Sequence, residues 1–285
     1  HDALPICLKP LIEKRMRKEK LYFQFHDTRR DGDYSFLPAV VKEQQITDII
    51  ICGGDGSVNQ VCSGLLQVPV NVGIIPLGSG NGLAFAAGIP KNPAKALDII
   101  IRGKSSYIDS LYINNRFSCM LCGIGFDAQI AHDFAKQKSR GLATYASQTL
   151  KHFFKAPAYP FTVSANGHSF KTEAFFISVA NSNQFGNHVT IAPKASLSDG
   201  MLDIVVVNKM SKINLLFSLL KQIRNGQLRT TPDGMFSEKG IIYFQTKKLT
   251  IQNPGMAPLH IDGEPAATSM HFDFVIIEKA IQLLQ

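Results

Sequence analysis

The sequence predicts an α/β amino-terminal domain on a parallel sheet, followed by a β-rich carboxy-terminal sandwich. Three observations carry this prediction. Two apolar runs, 46–52 and 70–77, each break into a glycine turn that opens a helical pattern. Helix and strand patterns alternate up to Gly103, and strand patterns dominate after it. The chain has 285 residues, above the usual single-domain size, so two domains are expected. The boundary is placed between 105 and 106, with a return of the C-terminal end to the first domain left open.

The elements follow in order. Residues 10–19 form a helix opened by Pro10. Leu21, Phe23 and Phe25 alternate as a strand, and residues 35–44 are helical. The two strand–turn–helix units come next. Beyond Gly103, strands are expected at 107–113, 116–122, 161–165, 174–180, 202–207, 241–252 and 270–277. Helical patterns at 142–154 and 212–224 interrupt them. No internal repeat or low-complexity tract is present.

The first glycine turn is the most informative stretch. Ile46-Thr47-Asp48-Ile49-Ile50-Ile51-Cys52 runs into Gly53-Gly54-Asp55-Gly56-Ser57-Val58-Asn59. Val58, Val61, Cys62, Leu65 and Leu66 then continue at helical spacing. Three glycines remove the Cβ atoms that would keep a phosphate from backbone N–H groups. The helix that follows offers its positive end to an anion. An acid in such a loop suits a phosphate accompanied by a divalent metal. The second turn, Gly78-Ser79-Gly80-Asn81-Gly82, ends the run Val70–Leu77 and precedes Leu83-Ala84-Phe85. The spacing suggests adjacent parallel strands with both turns at one sheet edge. Neither turn contains Gly-Lys-Ser/Thr, and the sixth position is Asn59 in one turn and Leu83 in the other. The Walker and dinucleotide patterns therefore both fail. Each turn alone could be a simple tight connection.

Together these residues resemble the diacylglycerol kinase catalytic-domain superfamily, which includes bacterial lipid kinases, sphingosine kinases and ceramide kinases. Residues 53–59 are similar to its Gly-Gly-Asp-Gly-Thr signature, and Pro76-Leu77-Gly78-Ser79-Gly80-Asn81 to its second block. Gly123-Ile124-Gly125-Phe126-Asp127-Ala128 matches the third, residues 191–203 the fourth, and Ile261-Asp262-Gly263-Glu264-Pro265 the last. Five blocks in the right order span nearly the whole chain. Ser57 stands for the usual Thr and Gln60 where Glu is common. Gly82 replaces the Asp usual in bacterial diacylglycerol kinases, which is closer to the sphingosine and ceramide kinase branch. The family usually opens with a strand and an Asn-Pro-x-x-Gly turn before its first helix. The sequence from His1 already reads as that helix, so the strand is expected to be either absent or not included in these residues.

The resemblance implies an NAD kinase- and phosphofructokinase-like first domain, ATP and Mg2+. It also implies transfer of the γ-phosphate to a lipid hydroxyl in the cleft between the domains. The acceptor would be diacylglycerol, a sphingoid base or a related lipid. Backbone N–H groups of Gly53, Gly54, Asp55, Gly56, Ser57, Val58 and Asn59, with the Ser79 hydroxyl, would hold phosphates. Neither glycine loop carries a lysine, so metal must compensate most of the charge. Asp55 is the candidate for organising it, its alternative role being an Asx-type turn. Thr28 matches a nucleotide-contacting threonine and could instead cap a helix. Asp262 is the leading proton acceptor and Glu264 the second carboxylate, although Asp262-Gly263 is also a strong hairpin signal. Ser196, Asp199 and Met201 would hold a structural Mg2+ through one side chain and two carbonyls, or form a plain Asp-Gly turn. The histidines, including His26, His168, His260 and His271, show no metal-ligand spacing and receive no role.

Composition bounds the rest. Hydrophobic residues at 45% and charged residues at 18% fit a globular core. No apolar run nears membrane-spanning length, and the five cysteines argue against a disulfide framework. Cys119 and Cys122 are expected as buried thiols. A cytoplasmic protein, peripherally associated with membrane, follows. The net charge of +8 is either a solvated surface or attraction to anionic lipid, with Lys14, Arg15, Arg17, Lys18 and Lys20 on one helix. Nucleic acid is not expected as a partner, since the basic residues are not interleaved with aromatics. Homodimerisation is left open. NAD kinase, a sugar kinase and a nucleotide-responsive regulator that lost its chemistry are the alternatives. The 191–203 and 261–265 blocks weigh against the first two, and intact Asp55, Asp262 and Glu264 against the third.

Overall fold

The computed structural model describes residues 8–135, 156–184, 192, 194–209, 236–238 and 240–285. They fall into two compact units, one of residues up to 108 with 279–285, the other of 109–278.

The first unit holds α1 (Leu8–Lys18), α2 (Leu37–Glu43), β1 (Asp48–Gly53), α3 (Asp55–Gly64), β2 (Asn71–Pro76), α4 (Gly82–Ala86) and α5 (Pro93–Arg102). Helix α1 buries Leu8, Ile12 and Met16, spaced four apart on one face, and leaves its basic residues outside. Helix α5 starts at Asn92, whose side chain accepts the Lys95 N–H, and ends at Gly103 in the left-handed region. Its Ile100 packs on β2 where Gly73 has no side chain to block it. Strands β1 and β2 run parallel and in step, from Asp48 opposite Asn71 to Gly53 opposite Pro76. Both chains therefore reach their glycine turns at the same level. On its other side β2 pairs in parallel with Gln282 and Leu283, which explains its nearly continuous burial.

Strand β3 (Ser105–Ile113) leads into the second unit. That unit continues with β4 (Arg116–Ser118), β5 (Leu121–Gly125), α6 (Phe126–Ala135), β6 (Tyr159–Ala165), β7 (His168–Ala180), β8 (Leu202–Asn208) and β9 (Phe236–Glu238). Then follow β10 (Ile241–Thr246), β11 (Lys248–Gln252), β12 (Leu259–Ile261), β13 (Glu264–Ala266) and β14 (His271–Leu284), whose end belongs to the first unit. Ladders β11–β6–β7–β5–β12–β13 are antiparallel. Alternate residues of these strands and of β8 and β14, among them Ile124, Ile177, Ile204, Leu259, Phe272 and Phe274, meet in one buried core. The result is the sandwich-like second domain that the strand patterns predict.

Four details differ from the sequence reading. Residues 21–29 contain no strand. The alternation of Phe23 and Phe25 serves an edge-to-face ring contact at 5.6 Å, with Lys9 over Phe25, rather than a ladder. The expected strand 116–122 is broken at Cys119 and Met120, whose N–H groups turn to the Asp262 carboxylate. The expected strand 241–252 breaks at Lys247, where the chain leaves β8 for β14 and β6. Strands β12 and β13, absent from the expected set, form a hairpin around Asp262-Gly263. The helical patterns at 142–154 and 212–224 lie outside the described residues.

Candidate active site

In the first unit the two glycine turns are pressed together. The Leu77 N–H donates to the Gly53 carbonyl at 2.9 Å and carries the parallel ladder into the turns. Gly54 is extended and begins α3, so Asp55, Gly56 and Ser57 occupy the helix's first turn. The N–H groups of Gly56 and Ser57 fall in the turn that a helix does not satisfy by its own i to i−4 bonds. A methyl group on Gly80 would stand 2.8 Å from Oδ2 of Asp55, so the acid of the first turn rests on the second turn. Ser57 lies against Gly53, and Ser79 is exposed at the tip of the second turn.

Asn81 closes the second turn, a role the sequence reading did not assign. It is buried with φ 55°, accepts the Gly78 N–H at 2.8 Å and donates to the Gly78 carbonyl at 2.7 Å. Asparagine tolerates this left-handed geometry better than most residues, which was the available signal. The arrangement leaves a backbone-lined cradle at a helix N-terminus, with a hard carboxylate oxygen beside it. Such a donor set fits a polyphosphate accompanied by a divalent cation. Thr28 sits on the irregular, exposed segment 21–29; it caps neither α1 nor α2.

In the second unit the structure separates the two acidic candidates. Asp262 and Gly263 both have positive φ, 49° and 83°, which defines a two-residue hairpin turn of the I′ kind. The Asp262 carboxylate is buried. Oδ1 accepts from the Ser118 hydroxyl at 2.6 Å and from the Met120 and Leu121 N–H groups at 3.0 Å each. Oδ2 accepts from the Cys119 N–H at 2.9 Å. The Asp262 N–H in turn donates to the Leu121 carbonyl. Asp262 thus clamps the hairpin to the β4–β5 corner. Glu264, first residue of β13, is exposed. His260, given no role by spacing, is fully buried with Nε2 3.5 Å from Oδ2 of Asp127.

The loop before β8 brings Ser196, Asp199 and Met201 together locally. Asp199 is exposed; its Oδ1 accepts the Met201 N–H at 3.1 Å and its Oδ2 the Gln245 amide at 3.3 Å. Ser196 Oγ accepts the Ser198 N–H at 3.4 Å. Gly200, with φ 71°, donates its N–H to Asp109 at 2.8 Å. The Asp-Gly turn is therefore real, and its oxygen donors have the hard character that Mg2+ prefers. Behind it Asp203 is buried and accepts the Tyr243 hydroxyl. Burial pushes its carboxyl up to about 6, against the Tyr243 and Gln245 hydrogen bonds and with help from the Asp199 charge. Among the described residues no group of three His, Cys, Asp or Glu side chains converges as a metal site. Asp199 would need main-chain oxygens to complete one.

Known proteins decide the family. Residues 7–113 match the diacylglycerol kinase catalytic domain, and residues 121–284 match the YegS C-terminal NAD kinase beta sandwich-like domain. The chain belongs to the diacylglycerol kinase-like lipid kinase family. A Shewanella frigidimarina protein named "Probable lipid kinase YegS-like" is 28% identical over 244 residues, 83% of this chain and 75% of that protein. A diacylglycerol kinase from Staphylococcus aureus is 26% identical over 261 residues, 90% of this chain and 80% of that protein. A crystal structure of a diacylglycerol kinase from Bacillus anthracis shares the fold with a TM-score of 0.66 at 19% identity, over 90% of this chain and 82% of that one. A kinase of this family uses ATP and typically a divalent metal. No described helix of this family member is long and apolar enough to cross a membrane.

Proposed function

We propose that this lipid kinase homologue transfers the γ-phosphoryl group of ATP to the hydroxyl of a membrane lipid. The observation that carries the reading is the pair of abutting glycine turns with Asp55 against Gly80. Backbone N–H groups of the first glycine turn as far as Ser57 bind phosphate oxygens. The Val58 N–H already donates to the Gly54 carbonyl at 3.1 Å and Asn59 stands beyond the first turn of α3, which corrects the wider stretch expected from the sequence. Ser79 adds its hydroxyl, and Thr28 supports the nucleotide. Asp55 would hold the Mg2+ that accompanies the nucleotide, and such an ion would supply charge neutralisation for the transferring phosphoryl group. The lipid oxygen forms a bond to the γ-phosphorus, the bond to the ADP oxygen breaks, and the hydroxyl proton passes to a carboxylate of the chain.

That carboxylate is Glu264 in our reading, which reverses the order expected from the sequence. The Asp262 carboxylate is buried and already accepts from four donors, three on Oδ1 and one on Oδ2. Each of these bonds favours a carboxylate committed to structure over one open to a substrate proton. Glu264 is exposed on the adjoining strand. Asp262 is then the clamp that holds its neighbour in place. Relatives named diacylglycerol kinase make a glycerolipid the first acceptor to examine. The exposed basic residues Lys9, Lys14, Arg17, Lys18 and Lys20 support docking to anionic lipid, at roughly 1 kcal/mol per residue near the surface. Salt-sensitive cosedimentation with phosphatidylglycerol vesicles checks that part.

The direct test incubates the protein with γ-labelled ATP, Mg2+ and a panel of diacylglycerol, phosphatidylglycerol, sphingoid base, ceramide and polyprenol. Label should enter one lipid with the wild type and not with a folded Asp55→Asn variant. Labelling of none, or equal labelling by Asp55→Asn, overturns the proposal.

A further inference from the structure

A buried polar pair stands behind the acidic hairpin, and the phosphoryl-transfer reading makes no use of it. Asp127 lies in the first turn of α6, and His260 lies on β12 opposite Gly123 of β5. Oδ1 of Asp127 accepts the Ala128 N–H at 2.8 Å, which anchors that carboxylate to the start of α6. Its Oδ2 faces Nε2 of His260 at 3.5 Å. Nδ1 of His260 accepts the Gly263 N–H at 3.2 Å. A ring nitrogen that accepts a backbone N–H carries no proton, so the ring proton belongs on Nε2, toward Asp127. Gly123 makes the approach feasible, because a methyl group there would overlap both Asp127 and His260.

The bond to Gly263 matters because of the turn type. Two-residue hairpins adopt I′ or II′ turns, which differ in the orientation of the peptide joining the central residues. Here that peptide joins Asp262 to Gly263, and its N–H is the group His260 holds. Fixing that N–H selects the I′ form observed. A flip would break this bond and turn the central peptide over while keeping Ile261 opposite Glu264, so His260 fixes the orientation of the turn rather than its register. Asp262 fastens the turn from one side through the 118–121 corner, and His260 fastens it from the other.

We propose that Asp127 and His260 are positioning residues that lock the 261–264 turn and so aim Glu264. This rests on the reading of Glu264 as proton acceptor. The two ring nitrogens can be tested separately. His260→Asn keeps an acceptor near the Nδ1 position and loses the contact with Asp127, whereas His260→Leu removes both. Amide exchange of Gly263 by NMR reports the lock without reference to turnover. Steady-state transfer of phosphate from ATP to micellar diacylglycerol, or to whichever panel lipid the wild type labels, reports its consequence.

The expected result is faster Gly263 exchange in His260→Leu, with kcat lower by about 10- to 100-fold, the scale on which misplaced groups slow reactions. KM for ATP should stay unchanged. His260→Asn should restore most of the Gly263 protection and most of kcat. Asp127→Asn, which preserves shape, gives the exchange readout should His260→Leu fail to fold. Wild-type exchange at Gly263 in a folded His260→Leu or Asp127→Asn variant overturns the proposal. So does a His260→Leu kcat equal to wild type, or a kcat loss that His260→Asn does not recover. Should the wild type label no lipid, the kinase reading falls alone, and Gly263 exchange still decides whether the lock exists.

Discussion

Gly54 and Gly78 pack backbone to backbone: a methyl group on Gly54 would stand 3.0 Å from the Cα of Gly78, and one on Gly78 2.6 Å from that of Gly54. The two glycine turns are therefore one continuous backbone surface, and neither accepts a side chain. Gly78→Ala must push the turns apart, at a cost of about 1–3 kcal/mol for overpacking. The expected outcome is a lower melting temperature together with weaker ATP binding by calorimetry. Unchanged ATP affinity would mean that the junction of the turns is not where nucleotide binds.

Asp262 and Glu264 should part company when each loses its charge. Asp262→Asn turns one acceptor into a donor that faces the N–H groups of 119–121, so it should cost about 1–3 kcal/mol of stability. Glu264→Gln touches no such network and should leave the melting curve alone. A melting comparison of the two variants checks this. An Asp262→Asn protein as stable as wild type would show that the clamp is dispensable, and would return Asp262 to the head of the candidates for proton acceptor.

The parts of this molecule that were legible in the sequence are those whose signals are local. Strands β1 and β2 are apolar runs ended by glycine, so the parallel pair and its adjacent turns could be read directly. The sandwich-like domain followed from repeated apolar alternation. What could not be read depends on distant partners. The break between β4 and β5 exists because a carboxylate 141–143 residues further along captures those N–H groups. The Leu21–Phe25 alternation looked like a strand because period-2 spacing also suits two rings packing on one side. The role of His260 leaves no trace in local spacing because its partner, Asp127, comes from another element.

The loop before β8 makes a calorimetric prediction. If Asp199 holds Mg2+ with main-chain oxygens, the metal stabilises the folded state by mass action. Added Mg2+ should raise the wild-type melting temperature and leave Asp199→Ala unaffected. Identical wild-type curves with Mg2+ and with chelator would exclude a metal there.

Asp203 makes a pH prediction. Its carboxyl is raised from 3.8 to about 6, chiefly by burial. Between those values the folded protein keeps a proton that the unfolded chain has released, so stability falls as pH rises through the window. The cost is complete above it. Asp203→Asn lacks that titration and can still accept the Tyr243 hydroxyl. Denaturant unfolding should therefore show the wild type losing stability relative to Asp203→Asn as pH climbs from 3.8 to about 6. A constant difference across that range would mean that Asp203 titrates normally.

The central claim is that phosphate leaves ATP for a lipid with the help of Glu264. One measurement bears on it most directly: the partition of label from the γ-phosphate of ATP between organic and aqueous phases, with membrane lipids, NAD and sugars supplied together. Wild-type protein should carry label into the organic phase. Glu264→Gln should lower that flux by about 10²- to 10⁴-fold, the usual worth of a general base, while binding ATP as before. Label that stays aqueous, on NAD, on a sugar or as free phosphate, would contradict the account, as would undiminished lipid labelling by Glu264→Gln.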